Sequence, residues 1–337
     1  MISIHDFDAI ERLRRRFGID PDLVRRARNA FYKKHEPREA FGQGLPGAFR
    51  AEVETRFLEL LSRHDSRIDG ASKLLFRAGG GRTIETVMLR IASGRTSLCV
   101  SSQVGCAAHC IFCATGRMGA VVDLTRDEIL DQLVEANRLA AGEGRAVRNV
   151  VFMGMGEPLH NESQVHAALD RMFSPQGFDL SPARILVSTV GIPDAMIRFA
   201  EKYPRVGLAV SLHSARQDRR EHLIPLARRH DLVELRDAMT KVNASQDRPL
   251  MIEYLLLEDL NDSDDDITAL VAYLTGLRVH VNLIPYNAID ARLDLRGSPS
   301  PRREEIARRL KDAGFTVTTR YSLGGDVAAA CGQLASS

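Results

Sequence analysis

The sequence predicts an α/β protein: an open, partial barrel of six βα units behind a small helical unit. Three observations predict it. From Ser97 onward, apolar runs of strand length alternate with helical patterns, as in a parallel sheet covered by helices. Six such units are too few for a closed eight-stranded barrel. The first seventy residues instead carry helical periodicity and a basic face. At 337 residues the chain is long enough for one barrel-sized domain and an accessory unit.

In the first part, Ile10, Leu13 and Phe17 recur at helical spacing, as do Val24, Ala27 and Phe31, then Val53, Phe57, Leu60 and Leu61. Gly42-Gln43-Gly44-Leu45-Pro46-Gly47 is a loop between them. Arg14, Arg15, Arg16, Arg25, Arg26, Arg28, Lys33 and Lys34 make the first two helices basic. Such a face is ordinarily just solvated; it reads as a phosphate surface only if the rest of the chain points to RNA. A hairpin is expected next, from 73–78 and 82–90 across Gly79-Gly80-Gly81. Glu85 lies in its second strand, where a carboxylate is ordinarily the solvent-side member of the alternation.

The barrel strands are expected at 97–103, 149–153, 184–188, 206–212, 250–257 and 279–284, each an apolar run suited to burial on both faces. A later strand is expected at 315–320. Helices are expected at 126–141, where Thr125 and Glu128 form a capping box, and at 163–173, 232–242 and 264–274. The layout is then a helical accessory domain over 1–70, a hairpin linker over 71–91, a core over 92–325 and a tail over 326–337.

The loop after the first barrel strand holds Cys106, Cys110 and Cys113 in a CxxxCxxC spacing. Three thiolates there can hold three irons of a cubane 4Fe–4S cluster and leave the fourth open to a small molecule. Three other readings compete. A zinc site wants four ligands, and only His109, adjacent to Cys110, is near enough to help. A disulfide framework lacks a secretory context. Unligated core cysteines leave the spacing unexplained.

Ligands of parallel βα folds bind at the carboxyl ends of the strands, and the unusual residues of this sequence fall there. Gly154-Met155-Gly156-Glu157-Pro158 ends the second strand, Ser188 the third and Ser211-Leu212-His213 the fourth, while Pro285-Tyr286-Asn287 follows the sixth. Each alone is an ordinary turn or cap. Together, beside a metal loop, they read as a binding rim, with Glu157 able to accept from an ammonium group.

The formal charge of +2 argues neither for nor against a nucleic-acid partner. No apolar run reaches bilayer length, and Met1-Ile2-Ser3-Ile4-His5-Asp6 lacks a signal-peptide pattern. A cytoplasmic protein with no membrane partner is expected, and five cysteines, three of them clustered, fit a reducing compartment.

The cysteine spacing, with Phe112 before the last cysteine, resembles the signature of the radical S-adenosylmethionine (SAM) superfamily. Four further stretches resemble the RlmN/Cfr family of radical-SAM RNA (adenine) methyltransferases: Ser101-Ser102-Gln103-Val104-Gly105-Cys106, Gly154-Met155-Gly156-Glu157-Pro158-Leu159, Val281-Asn282-Leu283-Ile284-Pro285 and Ala329-Ala330-Cys331-Gly332-Gln333-Leu334. The likeness runs from about Lys73 to Leu334. It implies a partial (βα)6 radical-SAM barrel with a 4Fe–4S cluster on Cys106, Cys110 and Cys113. It implies SAM, two per turnover, at Gly156, Glu157, Ser188, Ser211, Leu212, His213 and Asn287. Cys331 becomes the methyl carrier, Cys99 the residue that resolves it through a disulfide, and Glu85 the proton acceptor. Without the resemblance, Cys99 reads as a core residue and Cys331 as a tail thiol.

The activity so implied is methylation of carbon-2 of an adenine in 23S rRNA, with tRNA as a candidate second substrate. An external electron donor and a monomeric state go with it. Arg219, Arg220, Arg228 and Arg229 are expected to help the N-terminal helices clamp the RNA. The alternatives are carbon-8 methylation of the same adenine, as in the Cfr branch, a radical-SAM enzyme acting on a protein or small molecule, and an RNA-binding protein with a structural cluster.

Overall fold

The computed structural model describes residues 1–335 apart from 92, 120 and 290–293. The N-terminal unit is closed by β1 (Ile2–Ser3), which pairs in parallel with β2 (Val53–Glu54). Between them run α1 (Phe7–Arg16), α2 (Pro21–Tyr32) and the short α3 (Gly47–Ala51). Asp6 caps α1 by accepting from the Ala9 amide at 2.9 Å, and Asp20 caps α2 ahead of Pro21. The apolar stripes of both helices (Ile10, Leu13, Val24, Ala27, Phe31) meet Phe41, Phe49 and Val53 in a core of their own.

Residues 53–61 are not the helix that their spacing predicts. They form β2 and the start of β3 (Glu59–Asp65). Val53 and Phe57 belong to the N-terminal core, whereas Leu60 packs on the main one, so the apparent helical stripe serves two different cores. β3 begins one ten-stranded sheet with β4 (Ala71–Arg77), β5 (Thr83–Arg90) and β6 (Thr96–Cys99), each antiparallel to the one before. The expected hairpin is β4–β5, within this sheet.

From β6 the chain makes a short antiparallel pair, β7 (Gln103–Val104) with β8 (Val122–Asp123), and enters α4 (Arg126–Gly142) through the expected Thr125–Glu128 capping box. Then follow β9 (Val147–Phe152), α5 (Glu162–Phe173), β10 (Ile185–Thr189), α6 (Pro193–Lys202), β11 (Gly207–Ser211), α7 (Gln217–Leu223), α8 (Leu232–Ser245), β12 (Leu250–Leu256), α9 (Asp264–Leu274), β13 (Val279–Pro285), α10 (Ser300–Asp312) and β14 (Thr316–Thr319). All six expected barrel strands are present and run parallel in chain order, with β14 extending the row. α6, α7 and α10 go beyond the helices expected from the sequence. α10 buries only Ile306, Ala307 and Leu310, so its charged sequence hides a narrow apolar stripe.

Val150, Phe152, Val187, Leu208, Val210, Ile252, Val281 and Leu283 fill the core between sheet and helices. The N-terminal unit is fastened to α4 by a buried ion pair, Arg38 Nη1 to Asp131 Oδ1 at 2.7 Å. The other Asp131 oxygen accepts from the Phe57 and Leu58 amides at 2.9 and 2.8 Å, so the carboxylate is fully occupied.

Candidate active site

One cavity at the carboxyl ends of the parallel strands gathers most of the predicted residues. Cys106, Cys110, Cys113, Gly156, Glu157, Ser188, Ser211, His213, Asn287 and Cys331 all line it. Leu212 does not: it is fully buried in the core and meets β12 through its backbone.

The cysteine loop is held from three sides. Within it, His109 takes a positive φ of 52° and its Nδ1 lies 3.0 Å from the Gly116 carbonyl. Behind it, the Ile111 amide donates to the Leu223 carbonyl at 3.1 Å. In front, the Ala114 amide donates to Gly332 of the tail at 2.7 Å. Burial among apolar neighbours pushes the Cys106 thiol up to about 12 and raises that of Cys110 as well. No three His, Cys, Asp or Glu side chains among the described residues gather tightly enough for a single metal ion. Three soft thiols facing one cavity suit a cluster with an iron at several corners, and the residues fit that group.

Ser101, Ser102 and Gln103 wire this loop to the one after β9. The Ser101 hydroxyl accepts from the Met155 amide at 2.9 Å, and Gln103 Oε1 accepts from the Glu157 amide at 2.9 Å. A Cβ on Gly154 would stand 2.7 Å from the Val100 carbonyl, and one on Gly156 2.6 Å from Gln103. Crowding by this neighbouring segment therefore demands both glycines, in addition to any need to let a ligand approach. Glu157 is held by the Leu159 and Val190 amides at 2.9 and 2.8 Å, yet burial raises its carboxyl to about 7.

His213 takes a φ of 55°, accepts from the Leu255 amide at 3.0 Å and meets Phe112 edge-on at 4.8 Å. Burial first, then Arg220, drives its pKa down to about 3, so the ring is neutral.

Cys331 opens into the cavity from the tail, with its carbonyl held by Asn287 Nδ2 at 3.1 Å. It also lines a second, adjoining cavity together with Cys99. The surrounding protein raises the Cys331 thiol, and the Arg320 guanidinium beside it works in the opposite direction. Cys99 is buried in β6, where burial pushes its thiol to about 12. The expected disulfide is absent: all five cysteines are free thiols. Cys99 is pinned in register between Val87 and Val151, so only movement of the tail could bring the two sulfurs together.

Glu85 stands apart from the cavity. Its side chain is only 3% exposed, against the solvent-side position that strand alternation implies, and its pKa is raised by burial. Lys73 Nζ lies 3.1 Å from one oxygen, and the Ala335 amide donates to the other at 2.9 Å, so the carboxyl anchors the tail.

The radical SAM superfamily profile matches residues 100–271. The chain is 42% identical to the dual-specificity RNA methyltransferase RlmN of Syntrophotalea carbinolica, over 86% of this chain and 77% of that one. It belongs to the RlmN family of radical-SAM RNA methyltransferases. A probable RNA methyltransferase of Rhodopirellula baltica is 50% identical over 99% of this chain and 87% of its own. A radical SAM methyltransferase from Sphaerobacter thermophilus superposes with a TM-score of 0.93 at 35% identity, over 99% of each chain. The fold is thus the radical SAM fold, and membership in the RlmN family implies SAM and a 4Fe–4S cluster as cofactors.

Two cavity residues of this RlmN-type chain, Glu253 and Arg320, escape the sequence reading. Glu253 of β12 is buried, accepts from Asn282 Nδ2 at 2.6 Å and lies 3.6 Å from Arg320. Their signal is an acid inside the apolar run 250–257 and, two strands away, the arginine that ends 315–320.

Proposed function

We propose that this RNA methyltransferase acts on carbon-2 of an adenine in 23S rRNA, with Cys331 as the methyl carrier. The observation that carries the reading is that Cys331 shares one cavity with the three loop cysteines and Glu157. "Dual-specificity" in the names of its relatives supports a second RNA substrate, which we take to be tRNA. Those same names are of the RlmN type, so carbon-8 methylation is not favoured.

The carbon between the two ring nitrogens of adenine is electron-poor, and a sulfonium methyl group seeks electrons. Direct transfer is therefore slow, whereas a thiolate accepts such a methyl readily. Arg320 favours the Cys331 thiolate that takes the methyl from a first SAM. When bound, the cluster supplies the electron that splits a second SAM and starts radical chemistry at the S-methyl group. Cys106, Cys110 and Cys113 hold its irons, Glu157 accepts from the ammonium end of SAM, and Ser188, Ser211 and Asn287 offer it further hydrogen bonds. After the methylene carbon has joined the base, the adduct gives one electron back to the one-electron couple that supplied the first, and Glu85 takes the ring proton once the tail has lifted from it. The Cys99 thiolate then attacks the Cys331 sulfur. The sulfur–carbon bond breaks, its electron pair takes up a proton to complete the methyl group, and an external thiol reduces the Cys99–Cys331 disulfide left behind. The adenine must be unstacked to enter.

Mass spectrometry of RNA from cells with and without the protein tests this. 2-Methyladenine that disappears with the protein, and with Cys331→Ala while iron and sulfide still load, is the expected result. 8-Methyladenine, or full activity of Cys331→Ala, overturns it.

A further inference from the structure

Arg220 lines neither cavity, yet it is among the most deeply buried side chains of the chain, 1% exposed on α7. This corrects its expected role as an RNA clamp. One terminal nitrogen, Nη2, donates to the Val190 carbonyl, while Nε and Nη1 have no hydrogen-bond partner. Among the described residues no carboxylate pairs with it. A guanidinium keeps its proton in a protein, and an uncompensated buried charge is costly, so a cation retained here calls for a counter-charge.

The surroundings narrow the choice. Gly191, at a φ of 99°, leaves room: a Cβ there would stand 3.3 Å from Arg220 Nη2 and 2.8 Å from Leu235. Tyr273 interacts with it but donates its hydroxyl to the Leu232 carbonyl at 2.8 Å. His213 lies near it too, but its ring is neutral and supplies no counter-charge, which leaves Cys110. α7 and the turn after it form the back wall of the cysteine loop, with Cys106, Ala108 and Cys110 packed on Leu223, Ile224 and Ala227. A thiol that ligates iron is an anion; the neutral thiol is not.

We infer that Arg220 is the buried counter-charge of the iron–sulfur cluster on Cys106, Cys110 and Cys113, and that it raises the cluster's reduction potential. The inference rests on the cofactor reading given above. Reduction adds one electron, from an external one-electron donor, and makes the cluster and its thiolates more negative by one charge. A fixed cation in a poorly screened setting stabilises that reduced form more than the oxidised one.

The test is a redox titration, followed by electron paramagnetic resonance with dithionite as donor. It compares anaerobically reconstituted wild type, Arg220→Met and Arg220→Lys after iron and sulfide assay. The Met variant should be about tenfold harder to reduce, ~59 mV lower for one electron, and the Lys variant should recover most of that. Equal potentials at equal iron content overturn the inference. So does weaker SAM binding at unchanged potential, which would place Arg220 in a strap through Val190 to Glu157. If the Met variant loads no cluster, melting of the metal-free proteins decides. A melting temperature equal to or above wild type supports a cation needed by the cluster, and a lower one marks a structural role and overturns the inference. Wild type that takes up no iron and sulfide sinks the cofactor reading itself.

Discussion

Glu157, proposed above to meet the ammonium group of SAM, is kept out of water. Its raised pKa, about 7 against an ordinary 4.5, has a definite sign for stability. Between those two values the unfolded chain is ionised while the folded one still holds the proton, so the fold loses stability as pH rises and levels off above 7. Glu157 should therefore contribute on the order of 3 kcal/mol more stability to the metal-free protein at pH 5 than at pH 8, while the neutral, buried His213 favours the higher pH. Urea titrations of wild type and Glu157→Gln at both values check this; an unchanged pH dependence in the variant refutes it. SAM affinity should run the opposite way, weakening below pH 7 as the carboxylate that receives the ammonium is protonated. At Cys331 the nearby guanidinium makes a separate prediction. Arg320→Gln should slow alkylation of Cys331 by iodoacetamide at pH 8 several-fold, because less thiolate is present. The gathering of Glu157, the three loop cysteines and Cys331 is legible in the sequence because each sits in a short motif. Those of Glu253 and Arg320 are not, because their meeting depends on β12, β13 and β14 lying side by side.

At the scale of elements, the tail is the part that the sequence describes least. Its described residues form no helix or strand beyond a single short turn, and its position comes from partners far away in the chain. Thr115 Oγ1 donates to the Leu334 carbonyl at 2.5 Å, Asn287 holds the Cys331 carbonyl, and Glu85 takes the Ala335 amide. Long-range side-chain bonds of this kind leave no periodicity to read. The parallel strands do leave one, since burial on both faces selects an unbroken apolar run, and all six stand where such runs predict them. The start of β3 mimics a helix because two cores share the apolar residues around it. Thr115→Val removes one tail bond and should cost about 1 kcal/mol, with the C-terminus cut faster by carboxypeptidase. Lys73→Met should cost more, about 3 kcal/mol, because it leaves the Glu85 carboxyl buried without its cation. Adding Glu85→Gln should restore part of that loss; chemical denaturation of the single and double variants would show whether it does.

For the whole molecule, the question is whether RNA meets both units. The basic surface of the N-terminal unit is partly spent on the joint: Arg28 Nη1 donates to Gln176 at 2.6 Å, and Arg28 and Arg171 stand 4.9 and 4.8 Å from the Phe7 ring. Arg25, Arg26 and Lys34 remain exposed. The groove beside them is lined by Arg14, Arg25, Arg28, Lys33 and Arg171, with Asp8, Glu11 and Asp22 among them, and so lies at the C-terminal end of α5. α5 starts near the cavity, just past the loop after β9, and runs back along the barrel. The groove and the cavity thus sit toward opposite ends of strands about 20 Å long. A short single strand that fills the cavity cannot also reach the groove, whereas a folded RNA can. Arg25→Glu with Arg26→Glu should therefore weaken binding of a folded ribosomal RNA fragment. It should also flatten its salt dependence by about 0.7–0.9 in log–log slope for each phosphate that the variant no longer neutralises. A short oligonucleotide carrying the same adenine should bind wild type and variant alike. Equal weakening for both RNAs, or an unchanged salt slope for the folded one, would remove the N-terminal unit from the RNA-binding surface.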